Sequence, residues 1–590
     1  MIGWQPAGRG SAQALRGTSS NGCRHSAAAA AAATARRRNG TPAPFSRARQ
    51  HANPAPCFTG MRAGGQPQAR PLPPLRTAGA AGGAAAAAAD AAVDPSAAVD
   101  HGGRAARLAA PVVIIGGGPA GLCTAVMLAR RGYTNVKVYE RLPEPPAPDD
   151  LSVWGDFEQA SERLYMIGLN GRGQGVLRDL GLMETIDSAS SLVLGRLDWR
   201  PDTPHDSPAL TRYTSRTYKT RCIQRDRLAS CILRELRARY GGAVSVEFGV
   251  GCEAAEWARA VCRVTLRRQP APGNTTAAAA AGAAADEWTV ESGLVLGADG
   301  AGSALRDAAE AAGGPLRVRR YEDKNVIVYR TIPLFWPQSM AEVRPGDLNY
   351  SARTKSGINL DCLPTKEGPF IGVMLYKPGD KQIAALKTAA DVRTLFESQF
   401  PSFLPALREV DLGRFAQKAD SSLPSFSYAG PVLHHGGSMA LLGDAIHTVK
   451  PYFGQGVNSA FEDVSVLERA LDASADDPAA AVARYSALRS RDAEALVTLS
   501  RSLDGGFLTF IGPLILDSML NKLLPAVFSP NIIASLQNEK WSFSQIRMRK
   551  RVDRALQAAL AAALLAAALK AASALAAAAA RLLARLAAGA

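Results

Sequence analysis

Residues 111–121 read PVVIIGGGPAG and residues 135–140 read NVKVYE. Val112, Val113, Ile114 and Ile115 form an unbroken apolar run, as a parallel strand covered on both faces requires. Gly116, Gly118 and Gly121 follow with the spacing GxGxxG, and residues 120–131 read as a helix. Residues 135–140 alternate as a second strand. Strand, helix and strand within about 30 residues make a βαβ unit, which is right-handed by rule.

In such a unit Gly116 permits the tight turn. Gly118 lacks a Cβ and lets a pyrophosphate approach the backbone, and Gly121 lets helix and strand pack closely. The free N–H groups at the helix start then hold the phosphates. Glu140 ends the second strand 19 residues after Gly121, where a carboxylate would accept hydrogen bonds from a ribose. The reading is a dinucleotide site, with a glycine-rich structural turn as its alternative. The motif alone does not separate FAD from NAD.

Two further stretches have related grammar. Residues 297–306, GADGAGSALR, follow the apolar run 294–296 and precede a helix; alone they read as a turn with Asp299 as a cap. Residues 441–463, LLGDAIHTVKPYFGQGVNSAFED, give an apolar strand, then Asp444, then a glycine-rich entry to a helix. Ligands of open α/β sheets sit at the carboxyl ends of strands. Asp444 is therefore placed to bind a polyol hydroxyl, and the helix start at residues 454–458 to stabilise negative charge.

These three motifs, in this order, resemble the single-component FAD-dependent aromatic hydroxylases of the p-hydroxybenzoate hydroxylase fold, over residues 110–555. Within them the chain is most similar to the kynurenine 3-monooxygenases. Supporting stretches are RLYMIGLNGRG at 163–173, YRTIPL at 329–334 and LDSMLNKLLPAVF at 516–528. The resemblance implies an α/β fold: a Rossmann-like FAD-binding domain with a mixed-sheet substrate domain and C-terminal helices. It implies that Gly116, Gly118, Gly121 and Glu140 hold the ADP half of FAD, that Arg225 is the FAD-contacting Arg opening the helix after the crossover, that Asp299 lies in a motif used for both FAD and NADPH, and that Asp444 binds the ribityl chain and pyrophosphate region. Pro451, Gly454, Gln455, Gly456 and Asn458 would form the catalytic loop beside the flavin. Arg196 and Tyr213 fall where kynurenine hydroxylases hold a substrate carboxylate. The implied reaction uses NAD(P)H and O2 to hydroxylate an organic, aromatic substrate through a flavin C4a-hydroperoxide. Met166 stands where the family has Asn, and SLDGGF at 502–507 replaces an Asn-Tyr pair. Both departures remove polar substrate contacts and count against kynurenine itself. Two alternatives remain: an epoxidase or reductase of the same fold acting on an isoprenoid or lipid, and a non-catalytic FAD-binding protein.

The chain divides accordingly. Residues 106–187, 218–325 and 432–500 form the FAD-binding domain, interrupted by a low-complexity insertion at 269–286. Residues 188–217 and 326–431 form the substrate-domain sheet. Residues 501–555 are a C-terminal helical region, and 556–590 an Ala/Leu-rich helical tail. Residues 1–105 read as a transit peptide and flexible linker, plastid rather than mitochondrial, or as an extension with no address.

The net charge of +16 resides largely in that leader. Residues 1–89 hold 11 Arg and no acid, leaving 57 basic against 52 acidic residues in the rest. A nucleic-acid surface is therefore not needed. No long charge-free stretch is rich in Leu, Ile, Val and Phe, which excludes a polytopic membrane protein. The tail reads as a membrane anchor, a peripheral helix or a low-complexity extension. Eight Cys without a CxxC pair give no structural zinc or disulfide framework, and GxSxG is absent. His447 reads as a packed neighbour of its turn, His434 and His435 as loop residues, and Cys123 as core. The partners read from the sequence are a small-molecule substrate, O2 and, through the tail, a membrane.

Overall fold

The computed structural model describes residues 101–155, 165–202, 204–214, 216–258, 260–269, 286–323, 325–451, 454–504 and 511–589. The leader through residue 100, the insertion loop 270–285, Tyr452, Phe453 and residues 505–510 lie outside the described residues.

Val112–Ile115 is the centre of a six-stranded sheet and is buried at every position. It pairs in parallel with Val136–Glu140 on one side and Leu294–Gly297 on the other. Val244–Phe248 and Met439–Leu441 extend the sheet in parallel, and His434–His435 closes one edge antiparallel. Each fully buried Val or Ile contributes about 1.5–3 kcal/mol, so the apolar run fixes this strand at the centre. Ile115, Gly297 and Leu441 share one register row. The three glycine-bearing loops therefore leave the sheet side by side at the same level.

A second layer is built differently. Seven strands, from Ser421–Ser422 through Val328–Leu334, Phe370–Tyr376, Asn359–Pro364, Leu348–Ala352 and Gly195–Trp199 to Ala209–Arg212, form one sheet. It is antiparallel except where Leu348–Ala352 runs parallel to Gly195–Trp199, so the sheet is mixed. One face packs a separate core with Phe396, Phe400, Phe403 and Phe415. The alternating residues point to the other face, where Ile371 meets Met166, Val153 and Phe335. Met166 lies on Met166–Leu169, a strand whose Ile167 and Leu169 belong to the nucleotide-domain core. The space between the two layers is thus bounded by Met166 on one side and Ile371 on the other. Trp336 packs into the substrate-domain core against Tyr350 and Phe403.

The insertion is flanked by Val261–Arg268 and Glu287–Ser292, which pair as an antiparallel hairpin. Order begins earlier than Pro111. His101–Ala109 is a helix whose Leu108 packs on the core and whose Arg104 binds Asp476 at 2.8 Å. The expected linker boundary at residue 105 therefore falls inside a helix: an amphipathic turn with one buried partner suffices to order it. His434 and His435 form a short strand rather than a loop, with the His435 ring 4.4 Å from that of Trp257. Cys123 is fully buried, and burial pushes its thiol pKa well up.

Candidate active site

The first two loops are in direct contact. Gly116 has φ +105°, and a Cβ there would lie 2.3 Å from the Ala298 carbonyl oxygen. A Cβ on Gly121 would lie 1.9 Å from the Gly116 carbonyl. Both glycines are required by backbone approach, as the motif predicts. Gly118 differs: its φ is −71°, and a Cβ would meet only the Arg225 Nη2, at 3.3 Å. That leaves a cradle in front of the helix Pro119–Arg130, with a guanidinium beside it. Arg225 starts the helix Arg225–Tyr240, its backbone N–H donating to the Tyr165 carbonyl at 2.8 Å.

The third loop joins them. The Leu442 N–H donates to the Gly297 carbonyl at 2.8 Å, and a Cβ on Gly443 would sit 3.5 Å from that of Ala120. Asp444 follows. Burial raises the pKa of its carboxyl, opposed by the nearby charges of His447 and Arg225. Gly456 lies next to it, its would-be Cβ 3.8 Å from Asp444 Oδ1. Gly118, Arg225, Asp444 and Gly456 therefore border one space.

Gly454 adopts φ +65° as the residue before the helix Gln455–Asp472, where its Cβ would crowd the Gly168 carbonyl at 3.1 Å. The helix N-terminus is thereby held against the strand that carries Met166. Asn458 performs this attachment. Its Nδ2 donates to the carbonyls of Gly168 at 2.8 Å and Gly454 at 2.5 Å, and its Oδ1 accepts from the Asn170 N–H at 3.0 Å. With its amide so engaged, Asn458 positions the loop. Gln455 is fully buried and Pro451 exposed.

Two acids are more structural than the motif suggests. Glu140 accepts from the Gly117 N–H at 2.7 Å and the Leu142 N–H at 2.9 Å, bracing the first loop. Asp299 accepts from Ser303 Oγ at 2.6 Å and the Leu305 N–H at 3.3 Å, closing its own turn. The supposed carboxylate clamp is also altered. Arg196 pairs with Asp198 at 2.7 Å, while Tyr213 lies beneath the Arg216 guanidinium, 3.6 Å from its ring centroid.

Several residues escaped the sequence reading. Asp463 is fully buried and joins His447 Nε2 at 2.8 Å, Arg489 Nε at 2.5 Å and the Gly443 N–H at 2.7 Å. Burial raises the Asp463 carboxyl pKa, but the His447 and Arg489 charges outweigh it and hold it below the usual range. This network ties the third loop to two helices, and it makes His447 a structural partner. Lys450, also buried, binds Asp504 at 2.8 Å and Asp323 at 3.4 Å beside Pro451. Gln224 precedes Arg225 and pairs in register with Met166, and neither its buried amide nitrogen nor oxygen has a partner. An apolar helix face interrupted by an acid, as at Asp463 between Phe461 and Val464, is a sequence signal that could have revealed the first of these.

The fit to FAD follows from these observations. A cradle opens at Gly118, Arg225 supplies positive charge, Asp444 is a desolvated acceptor, and Gln224 is an orphaned polar group in the same region. Among the described residues no cluster of His, Cys, Asp and Glu suits a metal ion.

Known proteins agree. Residues 432–500 match a family model described as an FAD binding domain, and residues 114–146 one described as an NAD(P)-binding Rossmann-like domain. Kynurenine 3-monooxygenase of Salinispora arenicola is 29% identical over 396 residues, covering 66% of this chain and 78% of that protein. The enzyme of the same name from Emericella nidulans is 26% identical over 416 residues, covering 66% and 76%. Two solved structures share the fold at a TM-score of 0.50. They are 2-methyl-3-hydroxypyridine-5-carboxylic acid oxygenase (18% identity, 68% of this chain and 93% of that one) and Klebsiella pneumoniae HpxO complexed with FAD (19%, 73% and 98%). In sequence and in fold the chain is thus similar to FAD-dependent monooxygenases.

Proposed function

We propose that this monooxygenase uses NAD(P)H and O2 to hydroxylate an aromatic substrate that lacks a free amino-acid carboxylate. When bound, FAD supplies the redox chemistry that takes up electrons from the nicotinamide and activates oxygen. Gly116, Gly118, Gly121 and Arg225 would hold its phosphates, and Asp444 its polyol. The N–H groups opening the helix Gln455–Asp472 stabilise negative charge that develops on a group placed there. Met166, Ile371, Val153 and Phe335 exclude water from the space between the layers.

The observation that carries the substrate class is the Arg196–Asp198 pair. An arginine already neutralised by its strand neighbour is a poor receptor for a carboxylate, whatever the relatives named kynurenine 3-monooxygenase do with theirs. An isoprenoid or other lipid substrate is the second reading, favoured by the exposed apolar face of the helix Gly512–Leu523. Delivery to a plastid by residues 1–105 completes the proposal; an import assay with isolated chloroplasts and mitochondria tests it.

The enzymatic test is NAD(P)H oxidation by the flavin-loaded protein in the presence of neutral aromatics, aromatic acids and prenyl compounds. Stimulation by neutral aromatics with oxygen consumption supports the proposal. Preferential stimulation by kynurenine contradicts it.

A further inference from the structure

One polar side chain between the two layers has nothing to bind. The strands Met166–Leu169 and Thr220–Gln224 are antiparallel, with Ile167 opposite Ile223 and Met166 opposite Gln224. Opposed residues of such a pair project from the same face, and the face alternates along the strand. Ile167 and Ile223 belong to the nucleotide-domain core. Met166 and Gln224, one position away, therefore project the other way, where Met166 meets Ile371, Val153 and Phe335. The Gln224 side chain is set beside this apolar cluster, its Cβ about 5 Å from that of Met166.

Gln224 is 1% exposed, and neither its Nε2 nor its Oε1 has a hydrogen-bond partner among the described residues. Gln174, buried near the far end of the same strands, shows the contrast: its Nε2 donates to the carbonyls of Leu169 at 2.9 Å and Lys219 at 2.8 Å. A buried amide with no partner destabilises the fold, so such a group calls for a ligand that supplies the missing bonds. The next residue, Arg225, faces the phosphate cradle at Gly118. The two neighbours therefore serve different spaces.

We propose that Gln224 is a specificity-determining residue of the space between the layers, and that it takes a neutral aromatic ring bearing a carboxamide or lactam edge. The inference rests on the reading of this protein as a hydroxylase of neutral aromatics. Both atoms of the amide are unsatisfied, and they lie side by side. A group presenting a donor and an acceptor side by side answers both at once, whereas a lone hydroxyl answers one. A carboxylate would carry its charge into apolar surroundings and offers no donor to Oε1. Met166 is partly exposed and turns on three rotatable bonds, so a ligand reaches the amide by displacing a thioether and not the backbone. Gly168, two residues along from Met166, accepts from Asn458 in the first turn of the helix Gln455–Asp472. A ring bound here is thus reported by the flavin.

The test is titration of the FAD-loaded full chain with benzamide, acetophenone and benzoate, followed by the flavin absorbance spectrum. Benzamide presents a donor and an acceptor, acetophenone replaces the donor by a methyl group of similar size, and benzoate brings a charge. Benzamide should bind about tenfold or more tighter than acetophenone. Gln224→Met keeps the length of the side chain and removes both amide atoms. It should abolish that preference while the affinities for acetophenone and FAD stay as they were. Its denaturation midpoint should not fall, because no protein partner is lost; a glutamine serving only the fold would lower it. A preference for benzamide that persists in the variant overturns the proposal. So does a fall in FAD affinity, which would make the cofactor the partner of Gln224. Equal binding of benzamide and acetophenone by the wild type, both ahead of benzoate, overturns the role of Gln224 alone. Benzoate ahead of both overturns the neutral-substrate reading and this inference with it. A wild-type spectrum that none of the three perturbs contradicts the inference too.

Discussion

The nucleotide-binding edge and the inner face of the seven-stranded sheet, where the substrate is proposed to sit, are specified in different ways. At the first, backbone meets backbone: Gly116 against Ala298, Gly121 against Gly116, Gly454 against Gly168. Nothing but glycine fits such contacts, so the constraint is written in the residue type. At the second, side chains meet side chains. Arg196 is closed by Asp198, and Ser351 donates to Asp361 at 2.7 Å. These pairs can be exchanged without changing the strands that carry them. The cofactor site is thus fixed by geometry and the substrate site by local chemistry.

Substitutions at each surface sharpen that contrast. The largest effect is expected at Gly118→Leu. Its backbone permits any residue, so the fold should survive while the side chain fills the phosphate cradle. FAD affinity should fall by about 100-fold or more, a loss of about 3 kcal/mol, read by flavin fluorescence. A variant that purifies with stoichiometric flavin contradicts this role.

Next is Asp463→Asn, which strands Arg489 and His447 in a buried site. Breaking a buried pair from one side costs about 3 kcal/mol or more, seen as a lower denaturation midpoint. The pH dependence has a definite sign. The Asp463 carboxyl is held below its ordinary value in the fold. Its stabilisation is therefore complete above the usual carboxylate range and is lost as pH falls below about 4. The Asn variant should be weaker at neutral pH and show less of this acid-side decline. An unchanged acid-side slope contradicts the assignment.

A smaller loss is expected for Asp444→Ala, which removes an acceptor without filling space: FAD affinity down about tenfold, in line with about 1.5 kcal/mol for a hydrogen bond to a charged group. The smallest effect belongs to the substrate face. Asp198→Ala frees the Arg196 guanidinium, and KM for aromatic carboxylates should fall several-fold, about 1 kcal/mol for a partly exposed pair. No change in preference between acids and neutral aromatics would remove Arg196 from the substrate site.

The same contrast explains what could be read from the sequence. The three glycine-bearing loops, the central strand and the start of a helix after the third motif were legible, because spacing and apolar runs encode them. Asp463, Lys450 and Arg172 were not. Arg172, for example, binds Glu462 at 2.8 Å and the Asn538 carbonyl at 2.6 Å, linking segments far apart in the chain. A single charged letter does not reveal whether it will be buried and paired. Glu140 and Asp299 lay between these cases: one was read at the end of its strand and the other in its turn, yet their carboxylates brace backbone N–H groups. The helix His101–Ala109 was missed because its order depends on Asp476, some 370 residues away.

The proposed cofactor site requires loops distant in the sequence to grip one flavin together. Gly456→Leu tests it most directly, because Gly456 belongs to the third motif while the phosphate cradle belongs to the first. A Cβ is tolerated there without close contact, so the helix should form and the side chain should enter the space beside Asp444. Equilibrium titration should give one FAD per wild-type chain and a severe loss of affinity in Gly456→Leu. Wild-type affinity in that variant, with the fold intact, would mean that the third loop does not share the flavin site.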